Sequence, residues 1–219
     1  MPTYSVSKTF AWRGPTITDK AAAVMRMFGL TADRLAERAV THNCTVEIKA
    51  GDIVYITGPS GSGKSTLLVE LEGCVPASEK VNLDEIKLPA DKRVIDCVEG
   101  DFLTGLRLLA IAGLSDVFCV LNEPANLSDG EKFRFRLAMA LSTGKKFVFA
   151  DEFCSALDRI TAAVISYNVH KFAKRAGVTF ILATSHEDTL LDLAPDVVVV
   201  KDLSGKTEIV YKKNNRGGI

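Results

Sequence analysis

The distribution of apolar residues along the chain predicts strands and helices in alternation. Apolar, β-branched runs of strand length lie at 45–58, which an Ala-Gly turn divides in two, and at 145–151, 178–185, 196–202 and 207–212. Stretches with helical apolar spacing separate them, at 63–74, 93–121, 156–177 and 186–194. Residues 4–12 are compatible with another strand, and 18–39 with a helix interrupted near Gly29. This order predicts an α/β fold with a mainly parallel sheet, covered on both faces, and a β-rich part at its N-terminal end.

Composition narrows the class of protein. The 219 residues suit one domain, expected to span 1–219 with a reduced helical region at about 100–140 and a loose tail at about 212–219. Lys plus Arg and Asp plus Glu number 27 each, so the chain as a whole is not a polyanion binder. Five cysteines without a CxxC pair favour a reducing, cytoplasmic setting. No apolar run approaches the ~18 residues of a membrane span, so we expect none in this chain.

The segment "GPSGSGKST" matches the phosphate-loop pattern G-x-x-x-x-G-K-[ST] and lies between a predicted strand and a predicted helix. The backbone N–H groups of such a loop and the N-terminus of its helix bind phosphate oxygens. We expect Lys64 to contact the β- and γ-phosphates and the Ser65 hydroxyl to bind Mg²⁺. The nucleotide-binding residues expected in this segment are Gly58, Pro59, Ser60, Gly61, Ser62, Gly63, Lys64, Ser65 and Thr66. The segment therefore predicts a nucleoside-triphosphate site, and the chain lacks the N-K-x-D motif that usually reads guanine.

Two acids and a histidine follow later strands of the predicted sheet. Asp151 and Glu152 end the run "FVFADE", and His186 ends "LATSH". The carboxyl ends of parallel strands line the crevice where ligands bind. Asp151 is expected to hold Mg²⁺, Glu152 to deprotonate the attacking water, and His186 to hydrogen-bond the γ-phosphate. These three residues complete a predicted site for hydrolysis of a triphosphate.

The order of five motifs resembles the ABC ATPase family of P-loop NTPases. The phosphate loop is followed by "LSDGE" at 127–131, the acid pair, "SALD" at 155–158 and the histidine, and the resemblance covers about residues 44–203. It implies ATP and Mg²⁺ as ligands and an ATP-dependent homodimer. In this family the LSGGQ stretch completes the site of a second subunit, which assigns nucleotide contacts to Ser128 and Gly130. "SALD" matches the family's D-loop and adds Asp158.

The sequence departs from the family pattern at the signature. Asp129 stands where the family usually has Gly, and Glu131 where it usually has Gln. Two carboxylates near a triphosphate are expected to weaken binding, unless Mg²⁺ or Lys132 and Arg134 offset them. The chain contains no Gln at all, so the family's Q-loop glutamine is missing, and Asp96 and Glu99 are its two possible replacements.

The family also stacks an aromatic side chain on adenine, upstream of the phosphate loop. Spacing favours Phe28 for this contact. Phe10 and Trp12 are the alternatives, because stacking needs only an exposed aromatic face.

The segment from Glu99 to Leu127 is shorter than the helical subdomain of transporter ATPases. With "LSDGEKFRFRLA" and "ADEF", it resembles most closely the soluble ABC ATPases that occur fused to a predicted acetyltransferase domain. The sequence alone therefore favours a soluble, ATP-driven dimer that remodels or switches an unknown protein or nucleic-acid partner. The alternatives are the energy subunit of an ABC membrane transporter, and a binding switch that barely hydrolyses ATP.

Overall fold

The computed structural model describes residues 2–10, 17–31, 34, 40–185 and 188–212. The strands are β1 (Thr3–Phe10), β2 (Val40–Glu47), β3 (Ile53–Thr57), β4 (Lys80–Asn82), β5 (Phe147–Ala150), β6 (Thr179–Ala183), β7 (Val197–Lys201) and β8 (Thr207–Tyr211). The α-helices are α1 (Asp19–Met27), α2 (Lys64–Gly73), α3 (Phe102–Ile111), α4 (Val117–Val120), α5 (Asp129–Ser142), α6 (Arg159–Ala176) and α7 (Leu190–Leu193). Short 3₁₀ turns lie at Leu83–Glu85, Ile95–Cys97 and Pro124–Asn126.

The central sheet has six strands in the order β4-β5-β6-β3-β7-β8. All neighbours pair in parallel except β7 and β8, which form an antiparallel hairpin at one edge. The strands β1 and β2 pair with each other, antiparallel, in a separate sheet. The two strands around the Ala50-Gly51 turn thus enter different sheets. The predicted α/β fold with a mainly parallel sheet and an N-terminal β-rich part is confirmed.

Helices or strands cover both faces of the central sheet. Side chains alternate along each strand, so successive residues pack into the cores on opposite faces. In β3, Ile53 and Tyr55 pack into a core with α3, α5 and α6. Val54 and Ile56 point the other way, into a core with α2 and the β1-β2 sheet. All four are fully buried, as expected for a parallel strand covered on both sides.

The helical region between the 3₁₀ turn at 95–97 and the end of α5 is built of short pieces. Asp101 caps α3 by accepting a hydrogen bond from the Thr104 N–H at 2.7 Å, and Gly113, at φ 79°, follows its end. The stretch 93–121, predicted as mainly helical, is therefore divided into a 3₁₀ turn, α3 and α4. Residues 186–187 of the predicted helix at 186–194 lie outside the described residues, and within 188–194 the helix is α7. The strand β4 was missed because three residues are too few to show a period. No helix among the residues described is long and apolar enough to cross a membrane.

Candidate active site

The predicted phosphate loop connects the end of β3 to the start of α2. It passes so close to β7 that a Cβ at Gly58, where φ is 145°, would overlap the carbonyl oxygen of Lys201. Gly63 caps α2 in the left-handed conformation, at φ 86°. Both positions favour glycine because a side chain would clash or strain the backbone there. The loop thus brings backbone N–H groups to the N-terminus of α2, the arrangement that binds phosphate.

The Lys64 side chain folds back over this loop. Its ammonium donates to the carbonyl oxygens of Gly58 at 2.9 Å and of Pro59 at 3.1 Å, and the residue is only 5% exposed. The buried Ser62 hydroxyl has no hydrogen-bond partner among the described residues. Ser65 is exposed and Thr66 half-buried. A concave loop with an inward lysine, an unpartnered buried hydroxyl and an accessible Ser65 fits a phosphate chain with Mg²⁺.

The register of the central sheet places Asp151 level with Ile56, two residues before the phosphate loop. Ala150, the last residue of β5, pairs with Leu182 of β6, and Leu182 pairs with Tyr55 of β3. Two strand spacings separate β5 from β3, about 10 Å. Asp151 follows Ala150 directly, so it lies at the carboxyl edge of the sheet, where ligands bind in open α/β folds.

The turn after β5 holds Glu152 in an unusual backbone conformation. Glu152 has φ 43° and Cys154 has φ 62°, values that cost a non-glycine residue roughly 1–3 kcal/mol and that cluster at functional sites. The Glu152 side chain is exposed, and the Ser185 hydroxyl donates to its carboxylate oxygens at 3.4 and 3.5 Å. The N–H of Asp151 donates to Asp84 Oδ2 at 3.1 Å. The sequence did not identify Ser185 or Asp84 as neighbours of the acid pair. Ser185 follows β6 and Asp84 follows β4, and both segments are distant in sequence from Asp151 and Glu152.

Several predicted contacts have less structural support. His186 and Trp12 lie outside the described residues, and the Phe10 side chain does too. Phe28 directly follows α1 and is 69% exposed, so its ring is free to stack on a planar base. Asp96 and Glu99, the two predicted replacements for the Q-loop glutamine, are both exposed.

Ser128 and Glu131 form a capping box at the start of α5. The Ser128 hydroxyl accepts from the Glu131 N–H at 3.4 Å, and the Glu131 carboxylate accepts from the Ser128 N–H at 2.8 Å. Cys119 of α4 donates its thiol proton to the same carboxylate at 2.9 Å. The hydrogen bond from Cys119, followed by those from Ser128, lowers the pKa of Glu131 to about 2. The spacing Ser-x-x-Glu predicts such a box, so this role of Glu131 was readable in the sequence.

The signature turn packs against the predicted D-loop. A Cβ at Gly130 would lie 3.2 Å from the Ala156 carbonyl oxygen and 3.2 Å from a methyl carbon of Leu157. Asp158 caps α6 by accepting from the N–H groups of Ile160 and Thr161, both at 3.0 Å. Hydrogen bonds from Thr161 and then Ile160 hold the pKa of Asp158 below its usual value. The carboxylate of Asp158 is thus bonded within its own chain, at the edge of an exposed loop.

The fold and the phosphate loop at 58–66 define the class of protein: the chain is a P-loop NTPase. The sequence profile of the family described as "ABC transporter" matches residues 41–99. The aliphatic sulfonates import ATP-binding protein SsuB of Yersinia pestis is 32% identical over 193 residues, which cover 77% of this chain and 70% of SsuB. SsuB 1 of Paracoccus denitrificans is 30% identical over 203 residues, covering 83% and 80%. The methionine import ATP-binding protein MetN of Mannheimia succiniciproducens is 30% identical, but only 56% of it is covered.

Solved structures agree on the fold. A bacterial ABC transporter cassette solved as a dimer superposes with a TM-score of 0.63 at 21% identity, over 78% of this chain and 92% of the cassette. The same cassette, bound to ADP and Pi after hydrolysis, gives 0.63 at 22% identity with the same coverage. The chain belongs to the ABC transporter family, as one of its ATP-binding cassettes, and as an ABC-type ATPase it hydrolyses ATP with Mg²⁺. Within the described ranges no three His, Cys, Asp or Glu side chains cluster as a metal site.

Proposed function

We propose that this chain is the energy-supplying subunit of an ABC importer, and that it acts as a single domain. In the proposed cycle, MgATP closes a head-to-tail homodimer and hydrolysis reopens it. Each site would combine the phosphate loop and acid pair of one copy with the signature turn of the other. The import proteins SsuB and MetN support this function better than the soluble remodeller that the sequence alone favours.

Lys64 would bind the β- and γ-phosphates. In the structure its ammonium is bonded to two loop carbonyls, so the charge is already inside the loop when ATP arrives. Phosphate oxygens are stronger acceptors than neutral carbonyls, so the Lys64 ammonium would move from the loop carbonyls to the phosphates. Its positive charge would then lie where the transferring group becomes more negative. The loop N–H groups and the N-terminus of α2 would contribute in the same direction.

Glu152 would act as the general base. Its exposed carboxylate stands beside the Ser185 hydroxyl, at the carboxyl ends of β5 and β6. From there it would accept a proton from the attacking water and orient that water towards the γ-phosphate. His186 directly follows Ser185, and we keep it as the proposed hydrogen-bond partner of the γ-phosphate. Phe28 is the proposed adenine-stacking residue.

Ser65 and Asp151 would hold the Mg²⁺ ion. The hydroxyl and the carboxylate are oxygen ligands of the type that Mg²⁺ prefers. Ser65 lies in the first turn of α2, and Asp151 directly follows β5. When bound, the ion neutralises phosphate charge during transfer.

One observation supports the proposal that the signature turn of one copy contacts the nucleotide bound to the other. The start of α5 is exposed, and its side chains form hydrogen bonds within their own chain. Ser128 donates to Glu131 and is itself exposed, while Gly130 packs on the D-loop. The N–H groups of Asp129 and Gly130 belong to the first turn, where a helix has no internal acceptors. We propose that these donors, with Ser128, meet the γ-phosphate held by a second copy, and that Asp158 borders the same interface.

The outer side of the helical region is the proposed docking surface for a membrane subunit, at the cytoplasmic side of a membrane. Phe102, Val117 and Phe118 are 67%, 60% and 82% exposed there. A polar cleft of about 480 Å³ opens nearby, between the segments 91–96 and 121–126. Large exposed apolar side chains beside such a cleft are typical of a protein interaction site.

A soluble role remains the second candidate, because the segment between Val98 and Leu127 contains only α3, the four-residue α4 and the 3₁₀ turn at Pro124–Asn126. A reduced region of this kind favours a partner other than the large membrane subunits. The resemblance to soluble ABC ATPases fused to an acetyltransferase domain belongs to this second proposal.

A pull-down from the native host, with tagged Glu152→Gln and MgATP, separates the two candidates. The variant should hold ATP and retain its partner in the closed state. Recovery of an integral membrane subunit supports the importer, and recovery of a soluble protein or nucleic acid supports the remodeller. The variant Phe118→Ser should lose the membrane subunit. Val69→Ser, which changes an exposed residue of α2, is the matched control.

The in-trans site has its own test, light scattering of Glu152→Gln with and without MgATP. The mass should double with MgATP, and Ser128→Arg should prevent this while leaving ATP binding intact. Ser78→Arg, another exposed serine outside the signature, is the control and should still dimerise. A mass that stays monomeric at all protein concentrations would exclude the in-trans arrangement.

A further inference from the structure

The Glu131 carboxylate determines which way the Ser128 hydroxyl points. The hydroxyl oxygen lies 2.7 Å from Glu131 Oε2, shorter than its 3.4 Å distance to the Glu131 backbone nitrogen. The carboxylate is ionised at neutral pH, because hydrogen bonds from Cys119 and Ser128 lower its pKa to about 2. An ionised carboxylate only accepts, so the single hydroxyl proton of Ser128 is donated to Glu131.

Both oxygens of this carboxylate are engaged, which fixes it in place. Oε2 takes the N–H and O–H of Ser128, and Oε1 takes the Cys119 thiol. Arg134, a cation one turn further along the same helix, donates instead to the carbonyls of Gly113 at 2.7 Å and Gly130 at 3.3 Å. Ser128 therefore presents only lone pairs to the outside, and a γ-phosphate oxygen also presents only lone pairs.

We propose that Glu131 is a positioning residue that weakens ATP-dependent dimer closure by keeping the Ser128 hydroxyl proton inside its own chain. This inference rests on the proposed contact between Ser128 and the γ-phosphate of a second copy. To make that contact, the hydroxyl must turn away from Glu131. The carboxylate then loses a donor while a second anion approaches.

A glutamine at position 131 would weaken this hydrogen bond. With its amide oxygen in the place of Oε2 it can still accept from the Ser128 N–H and O–H, but a neutral amide oxygen is a weaker acceptor than a carboxylate. The hydroxyl proton is then more easily turned towards a phosphate. Glu131→Gln should therefore tighten the closed dimer although it removes a helix-capping charge, which should lower the free energy of unfolding.

The experiment measures the dissociation constant of the MgATP-bound dimer by sedimentation, in the Glu152→Gln background. Glu131→Gln should lower it by at least about tenfold, equivalent to about 1.4 kcal/mol. Urea unfolding of the same variant should give a lower stability. If Glu131 had a role in folding alone, Glu131→Gln would raise the dissociation constant of the dimer and lower the free energy of unfolding.

Asp129→Asn is the matched control, since it removes one negative charge from the same turn without touching the Ser128 hydroxyl. An equal gain from Asp129→Asn would replace the hydrogen-bond explanation with general repulsion. If the parent dimerises and Glu131→Gln is no tighter, the role of Glu131 is refuted and the in-trans site stands. If neither dimerises while both bind MgATP, the in-trans site itself is wrong, and this inference fails with it.

Discussion

Replacing Gly58 with alanine tests how firmly the phosphate loop is fixed to the sheet. The added Cβ would overlap the Lys201 carbonyl oxygen and lie 3.1 Å from both the Lys201 carbonyl carbon and the Ser62 hydroxyl oxygen. The Lys201 backbone cannot easily retreat, because Thr57 of β3 pairs with its neighbour Val200. Either the loop lifts away from β7 or the two strands separate.

The expected loss of stability has two parts. The backbone at φ 145° costs an alanine about 1–3 kcal/mol. Forcing a methyl group into a packed site costs a further ~1–3 kcal/mol. The sum of about 2–6 kcal/mol is a large share of the ~5–15 kcal/mol that stabilises a typical domain.

The assay is urea unfolding followed by circular dichroism, with nucleotide titration of the same samples. Gly61→Ala is the matched control, because Gly61 has φ 81° and an added Cβ there would meet no described atom within 4 Å. It should show only a backbone cost of about 1–2 kcal/mol. Equal losses for the two variants, or unchanged MgATP affinity in Gly58→Ala, would refute the argument that the contact with β7 shapes the loop.

Three further outcomes are expected. Lys64→Ala should abolish MgATP binding with an unchanged circular dichroism spectrum, because it removes the cation inside the loop; unchanged affinity would contradict the site assignment. Glu152→Gln should lower phosphate release by roughly 10²–10⁴-fold and retain ATP, as expected for loss of a general base, and a fall within about tenfold would exclude that role. The pKa of Glu131 falls from 4.5 to about 2 on folding, so the stability it contributes is present above pH 4.5 and is lost as the pH falls towards 2. Urea unfolding at pH 6 and pH 3 should therefore show a smaller acid-induced loss for Glu131→Gln than for the parent, and equal losses would show that Glu131 is not the titrating group.

The parts of the site that could be predicted are those encoded in short, continuous segments. The phosphate loop is such a part, because glycines, Lys64 and a flanking strand and helix are adjacent in sequence. Asp151 and Glu152 were also identifiable, since an apolar strand that ends in acids points to the carboxyl edge of a parallel sheet. Phosphate binding and the position of the acids thus depend on local pattern and on one general rule of sheet topology.

The contacts that escaped prediction join segments distant in sequence. Ser185 reaches Glu152 because β5 and β6 are neighbours, and Asp84 reaches Asp151 because β4 lies next to β5. Glu131 illustrates a different difficulty. Its charge suggested repulsion of ATP, whereas its spacing from Ser128 predicts a capping box in which the carboxylate binds the start of its own helix. Only the structure shows that Cys119 donates a further hydrogen bond to this carboxylate.

The position of the phosphate loop against β7 has a consequence during protein synthesis. Residues 58–66 leave the ribosome early, but β3 lies between β6 and β7, and the Lys201 carbonyl supports Gly58. A nascent chain that ends before β7 therefore carries the complete motif without the surface that shapes it. Contacts between such distant segments form late, because a long stretch of chain must first be ordered. The capacity to capture ATP should thus appear abruptly when the last parallel strand is added, and nucleotide retention by stalled chains of increasing length would record that moment.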